Sequence, residues 1–164
     1  MRKCNRNQHI TFQQATGLDK SLIHTWWNKP HVKEFWDNSP ALWENVAHYL
    51  NNGVKDLFDY WLGFYDGVAF ALVMTSTIDI TQPSVYAAYC PKESTTYTID
   101  FMIGEEAYLG QGLAAATLQA FMDFCPTEVT HFLIDPASSN TRAVHVYHKA
   151  GFKEVGRFTL LNVN

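Results

Sequence analysis

The stretch YTIDFMIGEEAYLGQGLAAATLQAFMDF, residues 97–124, decides the fold of this chain. Its mostly apolar beginning predicts a strand over 97–103, and its alanine- and leucine-rich end predicts a helix over 111–124. Gly110 and Gly112 interrupt the chain between the two. The stretch therefore predicts a strand, a glycine turn and a helix in direct succession.

The glycine turn is a candidate anion site. The first N–H groups of a helix have no partner within the helix, and the helix dipole places roughly half a positive charge there. Two glycines permit positive φ and carry no Cβ to hold a phosphate away from the backbone. The N–H groups predicted to hold an anion such as pyrophosphate are those of Gly110, Gln111, Gly112, Leu113 and Ala114. A glycine pair alone is also typical of a simple tight connection.

An acidic residue lies inside the apolar strand before this turn. Asp100 has Ile99 and Phe101 as neighbours and precedes Gly110 by ten residues. Apolar surroundings disfavour the carboxylate and raise its pKa above the ordinary value of about 3.9, which suits a base. An Asp in a strand can also pair with a basic side chain or face solvent. Together with the anion cradle, however, it indicates an active site.

The bulk composition is that of a folded globular protein. Of the 164 residues, 47% are hydrophobic and 17% are charged, and we expect one domain over residues 1–164. A net charge of −4 argues against a nucleic-acid partner and is compatible with a cationic substrate. No apolar run is long enough to span a bilayer and no signal peptide is recognisable, so we expect a cytoplasmic protein without a membrane partner. The cysteines are odd in number and widely spaced, and we expect no metal.

The remaining sequence predicts a mixed α/β domain. Further strands are predicted over 9–12, 60–65, 68–77, 129–134 and, as one or two strands, 155–163. Further helices are predicted over 18–27, 32–36, 139–150 and from Pro40 into the Asn51-Asn52-Gly53 sequence. Residues 79–96 form a long loop, which is usually functional in a compact domain. Antiparallel strands come first and parallel crossovers follow, so the fold class is α/β with a single mixed sheet flanked by helices.

Two stretches carry a resemblance to a known family: Gly110-x-Gly112, and Asn140-x-x-Ala143-x-x-x-Tyr147-x-x-Ala150-Gly151-Phe152. They resemble the GNAT superfamily of acetyl-CoA-dependent N-acetyltransferases, and the likeness covers about residues 8–163. The family's glycine motif usually begins with Arg or Gln three residues before the first glycine, where this chain has Ala107. That departure leaves the backbone cradle intact. The resemblance implies the GNAT fold, acetyl-CoA as co-substrate without a metal, and a small-molecule amine as acceptor.

Two branches of the superfamily compete. Four stretches resemble the aminoglycoside 6'-N-acetyltransferases: Ile99-Asp100, Ile134-Asp135-Pro136, Ser139-Asn140-x-Arg142-Ala143 and His31-x-x-Glu34-Phe35-Trp36. The run Ile103-Gly104-Glu105-Glu106-Ala107-Tyr108 instead resembles siderophore-biosynthesis acyltransferases that act on N-hydroxylysine-type amines. That branch tends to carry His in place of Asp100 and Glu in place of Asp135. The two acids favour transfer to the 6'-amino group of an aminoglycoside. A non-catalytic acyl-CoA-binding module remains the alternative from another class.

Acetyl transfer to an amine needs a polarised carbonyl, a neutral amine and a proton for the leaving thiolate. Main-chain N–H groups of Phe101, Met102 and Ile103 can polarise the carbonyl if a bulge or splay leaves one unpaired. Asp100 is the candidate base and a candidate amine-binding residue. Tyr147 is the candidate general acid, since a phenol with a pKa near 10 is protonated at rest. It also lies on an apolar helix face, where a purely structural tyrosine is common.

Three further residues complete the predicted site. Asn140 is implied to hydrogen-bond the pantetheine amides, although Asn at a helix start is also a common cap. Asp135 either orients the substrate amine or initiates a turn. Trp36 is predicted to line the acceptor cleft, since carboxylates beside aromatic walls suit an aminoglycoside. Both a monomer and a homodimer fit the sequence.

Overall fold

A computed structural model describes residues 9–37, 39–53, 55 and 57–159. Their strands form a five-stranded sheet in the order β1 (Ile10–Gln14), β2 (Asp59–Tyr65), β3 (Val68–Thr77), β4 (Thr95–Ile103) and β5 (Val129–Leu133). The first four strands pair antiparallel and β5 runs parallel to β4. The predicted α/β class with a mixed sheet is confirmed.

Five α-helices of this part of the chain flank the sheet: α1 (Lys20–Trp27), α2 (Pro30–Lys33), α3 (Pro40–Asn52), α4 (Leu113–Phe124) and α5 (Thr141–Ala150). The start of α3 is stabilised by Ser39, whose Oγ accepts a hydrogen bond from the Leu42 N–H at 3.3 Å, as capping residues do. Gly53, with φ of +64°, ends the same helix, because glycine adopts this conformation without steric cost. None of the helices described is long and apolar enough to cross a membrane.

Helices cover both faces of the sheet, and the central strand β3 is therefore buried on both. Because successive side chains of a strand point to opposite faces, Leu72 packs in the cluster with α1 and α3, whereas Val73 packs in the cluster with α4. Both side chains are fully buried. This two-sided cover explains why β3 is apolar almost throughout and lacks the alternation of a half-exposed strand.

The segment after β4 is tied to α1. A Cβ on Gly104 would lie 2.0 Å from Cδ2 of the fully buried Trp26, so only glycine fits there. Glu105 accepts hydrogen bonds from the Trp26 Nε1–H at 2.6 Å and from the Lys29 Nζ at 2.9 Å. These bonds hold the pKa of Glu105 below its ordinary value, with the Trp26 bond as the largest cause. In this chain the Gly104-Glu105 pair thus fixes the end of β4 against α1.

Three predictions of local structure need correction. The helix predicted over 32–36 is found at Pro30–Lys33, since proline favours the first position of a helix. The helix predicted from residue 111 begins at Leu113, because Gly112 is left-handed at φ of +72°. The strand predicted over 155–163 is wrong for residues 155–159, which have no regular structure; residues 160–164 lie outside the described part.

The reason for the missing strand lies in the packing of residues 152–159. They do not pair with the sheet, and two of them, Gly156 and Phe158, lie against side chains of the loop of residues 78–94. Phe158 meets the ring of Tyr86 edge-on, with the ring centroids 6.0 Å apart. A Cβ on Gly156 would lie 2.3 Å from the hydroxyl of Tyr89. This segment therefore supports the long loop predicted from the sequence.

Candidate active site

A gap between β4 and β5 defines the centre of the candidate site. β4 pairs with β3 over residues 97–103, but with β5 only over residues 95–98. Beyond Thr98 and Leu133 the two parallel strands form no further residue pairs. The splay that the sequence analysis required for a free N–H group is therefore present.

The register shows which backbone groups face this gap. In an antiparallel ladder, every second residue turns both its N–H and its C=O toward the partner strand. The Ile78 N–H donates to the Thr96 carbonyl, and the Gly104 N–H donates to the Phe70 carbonyl. The backbone N–H and C=O groups of even-numbered residues of β4 thus point toward β3, and those of odd-numbered residues point toward the gap. Phe101 is the first odd-numbered residue past the last pair with β5 whose N–H has no ladder partner.

The three predicted N–H groups therefore differ in their placement. Those of Phe101 and Ile103 face the gap, whereas that of Met102 is directed toward β3, where Met102 is opposite Leu72. The carbonyl of Ile103 is already engaged, because it accepts a hydrogen bond from the His31 Nε2–H at 2.9 Å. Phe101 and Ile103 are thus the two residues of the three whose N–H groups are directed so that they can polarise a carbonyl oxygen.

The glycine turn lies between β4 and α4. Gly110 and Gly112 both have positive φ, at +71° and +72°, which L side chains rarely adopt. A Cβ on Gly110 would meet no atom within 4 Å, so the space in front of the turn is open. No side chain caps α4, whereas Ser39 caps α3 and Asn140 caps α5. The N–H groups of the first turn of α4 are thus available, and the turn fits a pyrophosphate group.

Asp100 occupies the middle of β4 beside the gap, with Met74 of β3 opposite it. Burial, and secondarily the negative charge of Asp135, raise its pKa from 3.8 to about 6. A carboxyl with a pKa near neutrality is a better base than an ordinary aspartate, because the proton it removes is held more strongly. The sequence prediction of a raised pKa agrees with this environment.

A cleft of about 320 Å³ opens beside Asp100. Its described lining comes from the residue before β2, from β3 and β4, from the loop of residues 78–94 and from the segment after β5: Phe58, Ser76, Thr77, Ile78, Asp79, Gln82, Ser84, Tyr86, Thr98, Asp100 and Asp135. Three of these side chains are carboxylates, and no Lys or Arg is among them. The cleft is therefore suited to a cationic guest.

A second groove, of about 360 Å³, lies between β1 and α4 and is lined by Ile10, Thr11, Phe12, Ala120, Asp123 and Phe124. None of the predicted site residues is in that lining. The cleft at Asp100 is the smaller of the two, but the carboxylates line it and it lies beside the gap between β4 and β5. We therefore place the candidate active site there.

Asp135 follows β5 and is held by a residue that sequence reasoning missed. The hydroxyl of Tyr86 donates a hydrogen bond to Asp135 Oδ2 at 2.8 Å. Burial, and then the Asp135 carboxylate, raise the pKa of this phenol above its ordinary value of 10.0. The only sequence signal for Tyr86 was its position in the long loop of residues 79–96.

Tyr147 of α5 approaches the same two acids. Burial raises the pKa of its phenol above 10.0, and the charges of Asp100 and Asp135 raise it further. Within the described residues its hydroxyl has no hydrogen-bond partner, while its ring packs near Phe152 at a centroid distance of 6.2 Å. Asp100, Asp135 and Tyr147 are thus brought close together, although they come from three separate elements.

Two predicted site residues are placed differently. Asn140 caps α5, because its Oδ1 accepts a hydrogen bond from the Ala143 N–H at 3.0 Å. Its side-chain NH₂ is left for another acceptor, so a contact with pantetheine stays a prediction. Trp36 meets Trp27 edge-on at a centroid distance of 5.7 Å and is not among the described residues that line the cleft. Its role as a cleft wall also stays a prediction.

A family model for the acetyltransferase (GNAT) domain matches residues 16–160. The chain belongs to this family and is an acetyltransferase. The predicted superfamily is thereby confirmed.

Among its relatives are aminoglycoside acetyltransferases. The aminoglycoside N(6')-acetyltransferase type 1 of Klebsiella pneumoniae is 28% identical over 170 residues, which cover 94% of this chain and 79% of the relative. The crystal structure of aminoglycoside N(6')-acetyltransferase from Legionella pneumophila is 28% identical, with a TM-score of 0.78 over 92% of this chain and 83% of that one.

A further solved structure shows the same fold at lower identity. It is an aminoglycoside acetyltransferase in complex with coenzyme A and kanamycin, 22% identical, with a TM-score of 0.73 over 90% of this chain and 86% of that one. In the described part of the present chain, no group of three or more His, Cys, Asp or Glu side chains is placed to hold a metal ion.

Proposed function

We propose that this acetyltransferase moves the acetyl group of acetyl-CoA to the 6'-amino group of an aminoglycoside. The observation that carries the proposal is the acidic cleft at the open edge of β4, where Asp79, Asp100 and Asp135 line one cavity. Aminoglycosides carry several ammonium groups on rings with apolar faces. Carboxylates beside the side chains of Phe58 and Tyr86 suit both features.

The donor side of the proposal rests on β4 and α4. The turn at Gly110 and Gly112 is open and its helix is uncapped, so it can hold the pyrophosphate of acetyl-CoA. The N–H of Phe101, which faces the gap, can donate to the thioester carbonyl oxygen. An N–H aimed at a developing oxyanion contributes a large part of the acceleration in acyl transfer.

The acceptor amine must lose a proton before it can attack. Asp100 takes that proton from the ammonium group, and the amine nitrogen then bonds to the thioester carbon. The carbon–sulfur bond breaks as the amide forms, and Tyr147 donates its phenolic proton to the leaving thiolate. The nitrogen gives up its remaining extra proton to solvent, and solvent returns a proton to the Tyr147 phenolate. The raised pKa values of Asp100 and Tyr147 support these roles, because the base holds its proton more tightly and the acid stays protonated at neutral pH.

The test is release of free thiol from acetyl-CoA with a panel of acceptors. The panel contains kanamycin, tobramycin, a 6'-hydroxyl aminoglycoside, N6-hydroxylysine and spermidine. We expect turnover with kanamycin and tobramycin and none with the 6'-hydroxyl compound. Turnover confined to N6-hydroxylysine would contradict the proposal and favour a siderophore-type acyltransferase.

A matched pair of variants separates an enzyme from a binding module. Asp100→Asn is expected to bind acetyl-CoA normally and to lose transfer by about 10²–10⁴-fold, the usual contribution of a general base. Asp123→Asn changes a carboxylate in the groove between β1 and α4 and is expected to leave transfer unchanged. Equal activity of both variants would show that Asp100 is not the base.

A further inference from the structure

Asp135 lies on a segment that no regular element holds in place. β5 ends at Leu133, and Asp135 is exposed. Among the described residues, its one hydrogen-bond partner is the hydroxyl of Tyr86, which donates to Oδ2 at 2.8 Å. The position of the Asp135 carboxylate in the acceptor cleft therefore depends on a residue that is 49 positions away in the chain.

Tyr86 itself is fixed from several directions. Its N–H donates to the Ser84 Oγ at 3.1 Å, and its carbonyl accepts from the Cys90 Sγ at 3.2 Å and from the Tyr89 N–H at 2.9 Å. On the far side, its ring is held edge-on by Phe158 at a centroid distance of 6.0 Å. The phenol is thus presented to Asp135 by a braced loop and not by a freely rotating side chain.

We infer that Tyr86 is a positioning residue for acceptor binding. It holds Asp135 Oδ2, so that Oδ1 is left to receive an ammonium group of the acceptor. This inference rests on the proposed function, since it names a residue whose hydroxyl the acceptor site needs and whose hydroxyl acts on the acceptor only through Asp135. Tyr86 is neither the base nor the acid of the reaction.

The chemistry of the pair fits this role. Tyr86 remains a donor throughout the neutral range, because burial and the nearby carboxylates make its ionisation less favourable. A hydrogen bond to an ionised carboxylate is stronger than one between neutral groups, and it fixes the carboxylate plane as well as its position. A preoriented carboxylate binds a cation more tightly than a mobile one, because less ordering is required on binding.

The test measures kanamycin binding to Tyr86→Phe by calorimetry, together with the kinetics of transfer. The substitution removes one hydroxyl and keeps the ring. We expect the dissociation constant for kanamycin to rise by about 10-fold, the loss expected for one charge-assisted hydrogen bond. The KM for kanamycin should rise to a similar extent, while kcat and the affinity for acetyl-CoA stay within about twofold.

Two comparisons separate positioning from a structural role. Tyr89→Phe removes a hydroxyl from the same loop, at a residue whose hydroxyl lies beside Gly156 and which does not line the cleft, and should leave kanamycin binding unchanged. In an Asp135→Asn background, Tyr86→Phe should cause no further loss of kanamycin affinity, because the carboxylate through which the Tyr86 hydroxyl acts is already removed. A further 10-fold loss in that background would overturn the inference, as would wild-type binding by Tyr86→Phe.

The same binding data distinguish this inference from the proposed function. If the wild-type protein binds kanamycin but transfers nothing, the proposed function is wrong, and the comparison of variants still decides the role of Tyr86. If the wild-type protein binds neither kanamycin nor spermidine, both are overturned, because Asp135 then presents no site for ammonium groups. If Tyr86→Phe binds kanamycin normally and the wild-type protein acetylates it, only the inference about Tyr86 is wrong.

Discussion

Replacing Asp100 by asparagine is expected to stabilise the folded protein at alkaline pH. Burial, and then the charge of Asp135, raise the pKa of Asp100 from 3.8 to about 6. A carboxyl whose pKa is higher in the folded state binds its proton more tightly there than in the unfolded chain. The folded state therefore loses stability as pH rises from about 4 to about 6, and the loss is complete above that window.

The size of the effect follows from the two pKa values. A change of one in pKa corresponds to about 1.4 kcal/mol, so the ionised carboxylate of Asp100 lowers the free energy of unfolding by about 3 kcal/mol at pH 8. At pH 5 the carboxyl is still mostly protonated in the folded state but mostly ionised in the unfolded chain. The loss of stability is then only about 1.6 kcal/mol. Asparagine has no charge to bury, so Asp100→Asn avoids this loss. For a domain of this size, about 3 kcal/mol raises the melting temperature by roughly 6–12 °C.

The assay is thermal unfolding followed by circular dichroism at pH 5 and pH 8, without acetyl-CoA. Asp79→Asn is the matched control, because Asp79 lines the same cleft but is fully exposed. Hydrogen bonds from Thr81 hold its pKa below the ordinary value, so its replacement should not stabilise the protein at pH 8. The reasoning is refuted if Asp100→Asn melts at the wild-type temperature at pH 8, or if its advantage is the same at both pH values.

Three further substitutions test other parts of the structure. Gly110→Ala should weaken acetyl-CoA binding in calorimetry, whereas Gly67→Ala, with φ of +81° in a hairpin turn, should cost about 1–2 kcal/mol of stability and leave binding intact. Tyr147→Phe should lower kcat by about 10²-fold or more if the phenol is the general acid, with acetyl-CoA affinity unchanged in the same titration. Gly104→Ala should lower the free energy of unfolding in urea by about 1–3 kcal/mol, because its Cβ would overlap Trp26; a wild-type midpoint would contradict that packing.

The sequence was sufficient for the parts of the fold that local patterns determine. The hairpin of β2 and β3 follows from two apolar runs on either side of Asp66-Gly67, and the β4–turn–α4 unit follows from an apolar strand before two glycines. Positive φ at Gly110 and Gly112 was predictable for the same reason. Each of these features is encoded within a few residues, and the raised pKa of Asp100 followed from its immediate apolar neighbours.

What the sequence did not predict depends on contacts between distant segments. The hydrogen bond between Tyr86 and Asp135 joins a loop to the segment after a strand, and the sequence spacing of the two residues does not predict it. The missing strand over residues 155–159 has the same origin, because that segment meets the side chains of the loop instead of a free strand edge. The local sequence around Trp36, which lies after α2, is the same whether its ring faces a cleft or another tryptophan, so its role as a cleft wall stays a prediction.

The segment of residues 78–94 and the segment after β5 differ in kind from β4 and α4. The proposed donor site is built from β4, the start of α4 and the short glycine turn before α4, whereas most of the acceptor cleft is lined by chain outside strands and helices. Substitutions and insertions in such chain disturb few backbone hydrogen bonds. Acceptor choice can therefore diverge among relatives while the acetyl donor stays the same, and libraries that aim to retarget this enzyme should be confined to residues 78–94 and 134–139.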